Sequence, residues 1–164
     1  MALITRRGVA ATTVGDLPPV GTKAPDFTLV HSDLSDVSQE HWAGRRLVRN
    51  IFPSVDTGTC ATSVRTFNAL ASTLENTAVI CVSMDLPFAQ NRCCGAEGLA
   101  NVATGSAFRS DFGDAYGLTI LDGDYRGLLA RAVVVIDTDG TVLHTELVGD
   151  IGHEPDYDAA IAAL

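Results

Sequence analysis

Leu47-Val-Arg-Asn-Ile-Phe-Pro-Ser-Val-Asp-Thr-Gly-Thr-Cys60 is an apolar, strand-like run, interrupted by Arg49 and Asn50, that stops at Pro53 and turns through a polar loop to a thiol. From Ala61 onward Val64, Phe67, Leu70, Ala71 and Leu74 recur at three- and four-residue steps, the apolar face of an amphipathic helix. Cys60 is therefore placed at a helix start, where free backbone N–H groups and the partial positive charge of the helix end favour a thiolate. A cysteine without such a loop reads first as a small buried hydrophobe. Its position makes this one a candidate nucleophile.

Working outward, Ala78 to Ser83 has the composition of a buried strand. Pro87 opens a second helical stretch, and another falls around Ser110 to Tyr116. Arg131 to Asp137 is the clearest strand of the chain; Thr138-Asp139-Gly140 turns it, and Thr141 to Leu147 returns. An alanine-rich helix over Tyr157 to Leu164 closes the sequence, its acidic residues at the end the helix dipole favours. Upstream, Ser38 is positioned to cap a brief helix carrying Trp42 and stopped by Gly44, and Phe27 to Val30 reads as a strand. Asp16 to Gly21 is a proline-marked loop, and Leu3 to Thr5 and Val9 to Val14 flank Arg6-Arg7-Gly8 as a hairpin. The order predicts an α/β protein: a central mixed β-sheet with helices on both faces and an N-terminal β-hairpin over residues 1–15. No repeat or linker divides the chain, so one domain over 1–164 is expected.

Hydrophobic residues make up 46% of the 164 and charged residues 19%, too apolar a balance for a disordered chain. The net charge of −9 has the wrong sign for nucleic acid or an anionic membrane surface. Apolar runs such as Ala132 to Ile136 fall far short of the roughly 20 residues a membrane-spanning helix needs. The N-terminus has its basic pair after its apolar residues and no signal-peptide core, which makes cytoplasmic residence the expectation. His31, His41, His144 and His153 share no metal-ligand spacing with each other or with the cysteines, and glycines such as Gly95 and Gly98 match no phosphate-binding fingerprint. Neither a metal nor a cofactor is expected. A cysteine–histidine hydrolase would need one of those histidines folded against Cys60, and no spacing supports it.

The loop carries a more specific signal. Pro53-x-x-x-Thr57-x-x-Cys60 resembles the active-site signature of the peroxiredoxins. The longer strings Asn50 to Arg65, Asp85 to Gly98, Leu129 to Asp137 and Glu154 to Tyr157 are similar to the thiol peroxidase subfamily, atypical two-cysteine peroxiredoxins, over nearly the full length. The resemblance implies a thioredoxin-like fold and reduction of hydrogen peroxide and organic hydroperoxides to water and alcohols. It makes Cys60 the peroxidatic thiol, which becomes a sulfenic acid, with Thr57 holding the peroxide, Pro53 shielding the thiolate and Arg131 stabilising thiolate and peroxide together.

The second cysteine it implies lies in Arg92-Cys-Cys-Gly-Ala-Glu-Gly98, where the aligned position is Cys94 and the expected redox disulfide is Cys60–Cys94. Cys93 occupies the position where the subfamily has phenylalanine, and whether it competes as resolver, or pairs with its neighbour, stays open. Local unfolding of the first turn after Cys60 is the expected enabling motion. Cys81, in a buried-strand pattern, is expected only to pack. The chain has no Cys-x-x-Cys, so the resemblance supplies thioredoxin as reductant, together with a homodimer and apolar pocket walls from Phe52, Val55 and Leu86. Two rival classes share the residues: a redox sensor that passes oxidation of Cys60 to a partner, and a binding domain with inert thiols. Catalytic turnover and alkylation of Cys60 at low pH separate them.

Overall fold

A computed structural model describes residues 1–98 and 101–164. Its strands are β1 (Leu3–Arg6), β2 (Val9–Thr12), β3 (Thr28–Val30), β4 (Asp36–Ser38), β5 (Arg46–Ile51), β6 (Thr77–Ser83), β7 (Ala103–Ser106), β8 (Ala132–Ile136) and β9 (Val142–Leu147). Its helices are α1 (Gly58–Ala71), α2 (Pro87–Glu97), α3 (Phe112–Ala115) and α4 (Tyr157–Ala162), with a 3₁₀ turn at Gln39–Trp42.

β1 and β2 form the expected hairpin, turned by Arg7 and Gly8 at φ 50° and 78°, the left-handed pair a two-residue turn requires. The other strands make one mixed sheet in the order β4-β3-β7-β6-β5-β8-β9. β5, β6 and β7 are parallel, joined through α1 and α2, and β8 runs antiparallel to β5. β4 and β7 are additions to the sequence reading. Asp36-Val-Ser38 is too short to show a period, and Ala103-Thr-Gly-Ser106 has a single branched residue, Thr104, beside a strand-weakening glycine. Ser38 makes no side-chain cap, and the brief helix expected there is the 3₁₀ turn.

Side-chain alternation along β5 explains the two polar residues that interrupt its apolar run, since the strand continues straight through both. Val48 and Asn50 face α1, where Val48 packs with Phe67, Val79, Val133, Val135 and Ala160, and Asn50 donates to Ser63 Oγ at 3.1 Å. Leu47, Arg49 and Ile51 face the opposite side. Arg49 is fully buried there, its guanidinium 4.1 Å above the Phe27 ring and donating to the Tyr116 hydroxyl and to Gln39 Oε1. The larger apolar cluster on this face gathers Leu29, Trp42, Ile80, Val134, Phe112 of α3 and Leu118. Among the described residues, no helix is long and apolar enough to cross a membrane.

Candidate active site

The antiparallel pairing of β5 with β8 sets Ile51 opposite Ala132, so the residue entering β8, Arg131, lies beside the residues leaving β5, Phe52 and Pro53. The loop from Pro53 then returns the chain into α1, with Thr57 at its N-cap and Cys60 as its third residue. Topology alone thus brings Pro53, Thr57, Cys60 and Arg131 to one end of the sheet. Cys60 is a buried free thiol. Arg131, only 1% exposed, donates from Nη2 to Cys60 Sγ at 3.0 Å and from Nε to the Ile151 carbonyl at 2.9 Å. Its Nη1 is buried without a hydrogen-bond partner among the described residues. Arg131 also lines a cavity with Pro53, Thr57, Thr59 and Tyr125.

The loop is held from behind by Asp85, a residue to which the sequence reading gave no role. Its carboxylate accepts from Ser54 Oγ at 2.7 Å, from the Val55 N–H at 2.8 Å and from Ser83 Oγ at 2.6 Å. Thr57 spends its hydroxyl proton on the Ser54 carbonyl at 3.1 Å rather than on capping α1. The Cys60 carbonyl accepts from Ser63 Oγ at 2.8 Å, and Ser63 is held by Asn50, so the first turn of α1 is tied to the strand beneath it.

The N-terminal hairpin is part of the same site. Thr5 bridges to Asp150 through the Thr5 N–H to the Gly149 carbonyl at 2.8 Å and the Ile151 N–H to the Thr5 carbonyl at 3.0 Å. Asp150 clamps the contact by accepting from Thr5 Oγ1 and the Gly152 N–H, both at 2.8 Å, bonds that hold its carboxyl below the ordinary 3.8. Arg6 and Arg7 form a wall of the cavity, with the Arg6 guanidinium 4.1 Å over the Tyr125 ring. The basic pair stood out in an acidic chain only as a turn; its place at the site depends on the long-range bridge to Asp150.

Of the apolar walls expected, none lines this cavity. Phe52 and Val55 pack beneath the loop with Cys60, Val64 and Cys81, and Leu86 is 48% exposed elsewhere. Loop residues of a strand end turn inward to fill the space under the helix start, which leaves the mouth to polar groups and the hairpin. Cys93 and Cys94, both half-buried on α2, pack against that same cluster. Cys81 lies at its base, its thiol pushed up to about 12 chiefly by burial, with Cys94 and Cys93 adding to the effect.

A mixed sheet with a buried thiol at a helix start, hydrogen-bonded by a buried arginine, defines a thioredoxin-like protein whose chemistry centres on sulfur. Residues 19–161 match the family model described as Redoxin. The chain is 58% identical over 164 residues to a thiol peroxidase of Mycobacterium tuberculosis, covering 100% of this chain and 99% of the relative. It is 54% identical, with the same coverage, to a thiol peroxidase of Corynebacterium glutamicum. Among solved structures, a peroxiredoxin-like protein from Aquifex aeolicus superposes with a TM-score of 0.93 at 36% identity, covering 99% of this chain and 95% of that one. The chain belongs to the Redoxin family, in its thiol peroxidase branch.

Proposed function

We propose that Cys60 is the peroxidatic thiol of a thioredoxin-dependent peroxidase acting on hydrogen peroxide and organic hydroperoxides. Family membership supports thiol-dependent peroxide reduction as the activity. The observation that carries the residue roles is the 3.0 Å donation from Arg131 Nη2 to Cys60 Sγ at a cavity bordered by Pro53 and Thr57.

The thiolate is the form that attacks, and the Arg131 guanidinium donates to the attacking sulfur. The thiolate forms a bond to the terminal peroxide oxygen as O–O breaks; the sulfur is oxidised to sulfenic acid, and the leaving oxygen takes a proton and departs as water or alcohol. Nη1 of Arg131, without a partner among the described residues, supplies a donor for the charge growing on oxygen. Thr57, whose proton is already given to Ser54, offers its oxygen as an acceptor for the peroxide O–H. Pro53, buried and without an N–H, keeps water from the sulfur.

Cys94 then condenses with the sulfenic acid, expelling water and leaving a Cys60–Cys94 disulfide. Cys60 is wholly buried, so the first turn of α1 and the end of α2 must loosen for the two sulfurs to meet. An external dithiol of thioredoxin type returns both thiols. We assign the chain as one domain over 1–164 with the 1–15 hairpin as an extension, acting as a homodimer in the cytoplasm. Peroxide-dependent NADPH oxidation with thioredoxin and its reductase tests the reading: wild type turns over, and Cys60→Ser and the Cys93→Ser/Cys94→Ser double variant do not. Full activity in Cys60→Ser overturns it.

A further inference from the structure

We propose that Cys93 is a second resolving thiol, so that either member of the adjacent Cys93–Cys94 pair can close a disulfide with Cys60. The inference rests on the two-cysteine reading of Cys60 and adds a residue to it.

The rotation of α2 about its axis is set by Gln90, which is 1% exposed and donates from Nε2 to Ser83 Oγ and to the Gly105 carbonyl, both at 3.1 Å. At about 100° per residue, Cys93 falls roughly 60° to one side of Gln90 and Cys94 roughly 40° to the other. Asn91 and Arg92 turn out to solvent, while both cysteines are half-buried and both pack against the cluster that holds Cys60. The inward face of α2 therefore presents two thiols, neither of them turned away from the nucleophile.

Cys81 shares the cluster and does not compete. It lies in β6, paired on one side with β5 and on the other with β7, and cannot advance without breaking those ladders. Cys93 and Cys94 stand in the C-terminal half of α2, where loosening of the helix end releases them together. Their Cα atoms are about 3.8 Å apart, so a segment able to bring one sulfur to Cys60 brings the other within a residue's reach. The step balances as it does for Cys94. The Cys93 thiol sulfur is oxidised, the Cys60 sulfenic sulfur is reduced, an S–S bond replaces S–H and S–O, and the proton leaves with the hydroxyl as water.

The test uses the full chain as wild type, Cys93→Ser, Cys94→Ser and the double variant, each given one equivalent of cumene hydroperoxide without reductant. Trypsin cuts after Arg49, Arg65, Arg92 and Arg109, so a disulfide appears as the 50–65 peptide joined to the 93–109 peptide, at monomer mass on a non-reducing gel. The joined peptide is expected in both single variants and not in the double. Thioredoxin-driven turnover of each single variant is expected within about tenfold of wild type, with the double at least about a hundredfold lower. A Cys94→Ser protein that consumes one equivalent of peroxide but accumulates a dimedone-reactive Cys60, with no joined peptide, overturns the role of Cys93. If wild type forms no joined peptide and the double variant turns over normally, the two-cysteine reading itself falls.

Discussion

Arg131 and Cys60 lie 71 residues apart in the chain and meet at 3.0 Å, Nη2 to Sγ, with both side chains sealed from solvent. The contact is built by strand pairing, because β8 begins where β5 ends and α1 follows β5 after one short loop. The Ile151 carbonyl fixes the guanidinium from its other edge.

Replacing Arg131 by Met should slow peroxide consumption by roughly a hundredfold or more, the cost of losing one charged donor at a reacting centre. Alkylation of Cys60 by iodoacetamide at neutral pH should slow with it. The fold should stand, but the thermal midpoint should drop measurably, because the buried Ile151 carbonyl and the Cys60 sulfur lose their donor. An unchanged alkylation rate would remove Arg131 from the site.

Asp85→Ala strands three donors that now converge on one carboxylate, Ser54 Oγ, Ser83 Oγ and the Val55 N–H. Each buried donor left without an acceptor costs about 1–3 kcal/mol, so the unfolding midpoint in urea should drop measurably. Peroxidase activity should fall in the same variant, and Asp85→Asn, which keeps one acceptor oxygen, should restore part of both.

Asp150 should make the hairpin clamp pH-dependent. Its carboxyl is held below the ordinary 3.8, so the stability it adds is present above that value and is lost as pH falls through its folded-state value. Asp150→Asn should therefore melt lower than wild type at pH 6, and the difference should shrink as pH falls below 3.8 and through the folded-state value. Melting temperatures of the two proteins across that range give the check.

Cys81, raised to about 12 and 1% exposed, should resist iodoacetamide at pH 8 in the folded protein. In denaturant it should react as an ordinary thiol. Mass spectrometry of the 66–92 peptide distinguishes the two states, and labelling of the native protein would contradict the raised thiol of Cys81.

Much of this was legible before folding. The apolar run of β5, the α1 period, the Asp139-Gly140 turn and the Arg7-Gly8 hairpin are local features, and local chemistry decides them. β4 and β7 escaped because three or four residues of mixed type show no period, and each forms only because β3 or β6 offers it an edge. The polar pair Arg49 and Asn50 looked like an interruption because one dimension cannot show that each has its own partners on its own face.

The loop Pro53 to Cys60 determined by itself the class of chemistry, since a thiol at a helix start is a property of neighbours in sequence. The groups gathered around that thiol come from far along the chain: Arg131 through the β5–β8 pairing, Asp85 behind the loop through the parallel β6, and Arg6 at the cavity wall through the bridge of Thr5 to Asp150. Backbone propensity acts over a few residues. Hydrogen bonds and burial act across whatever distance the sheet closes, so only the tertiary structure decides which groups surround the sulfur.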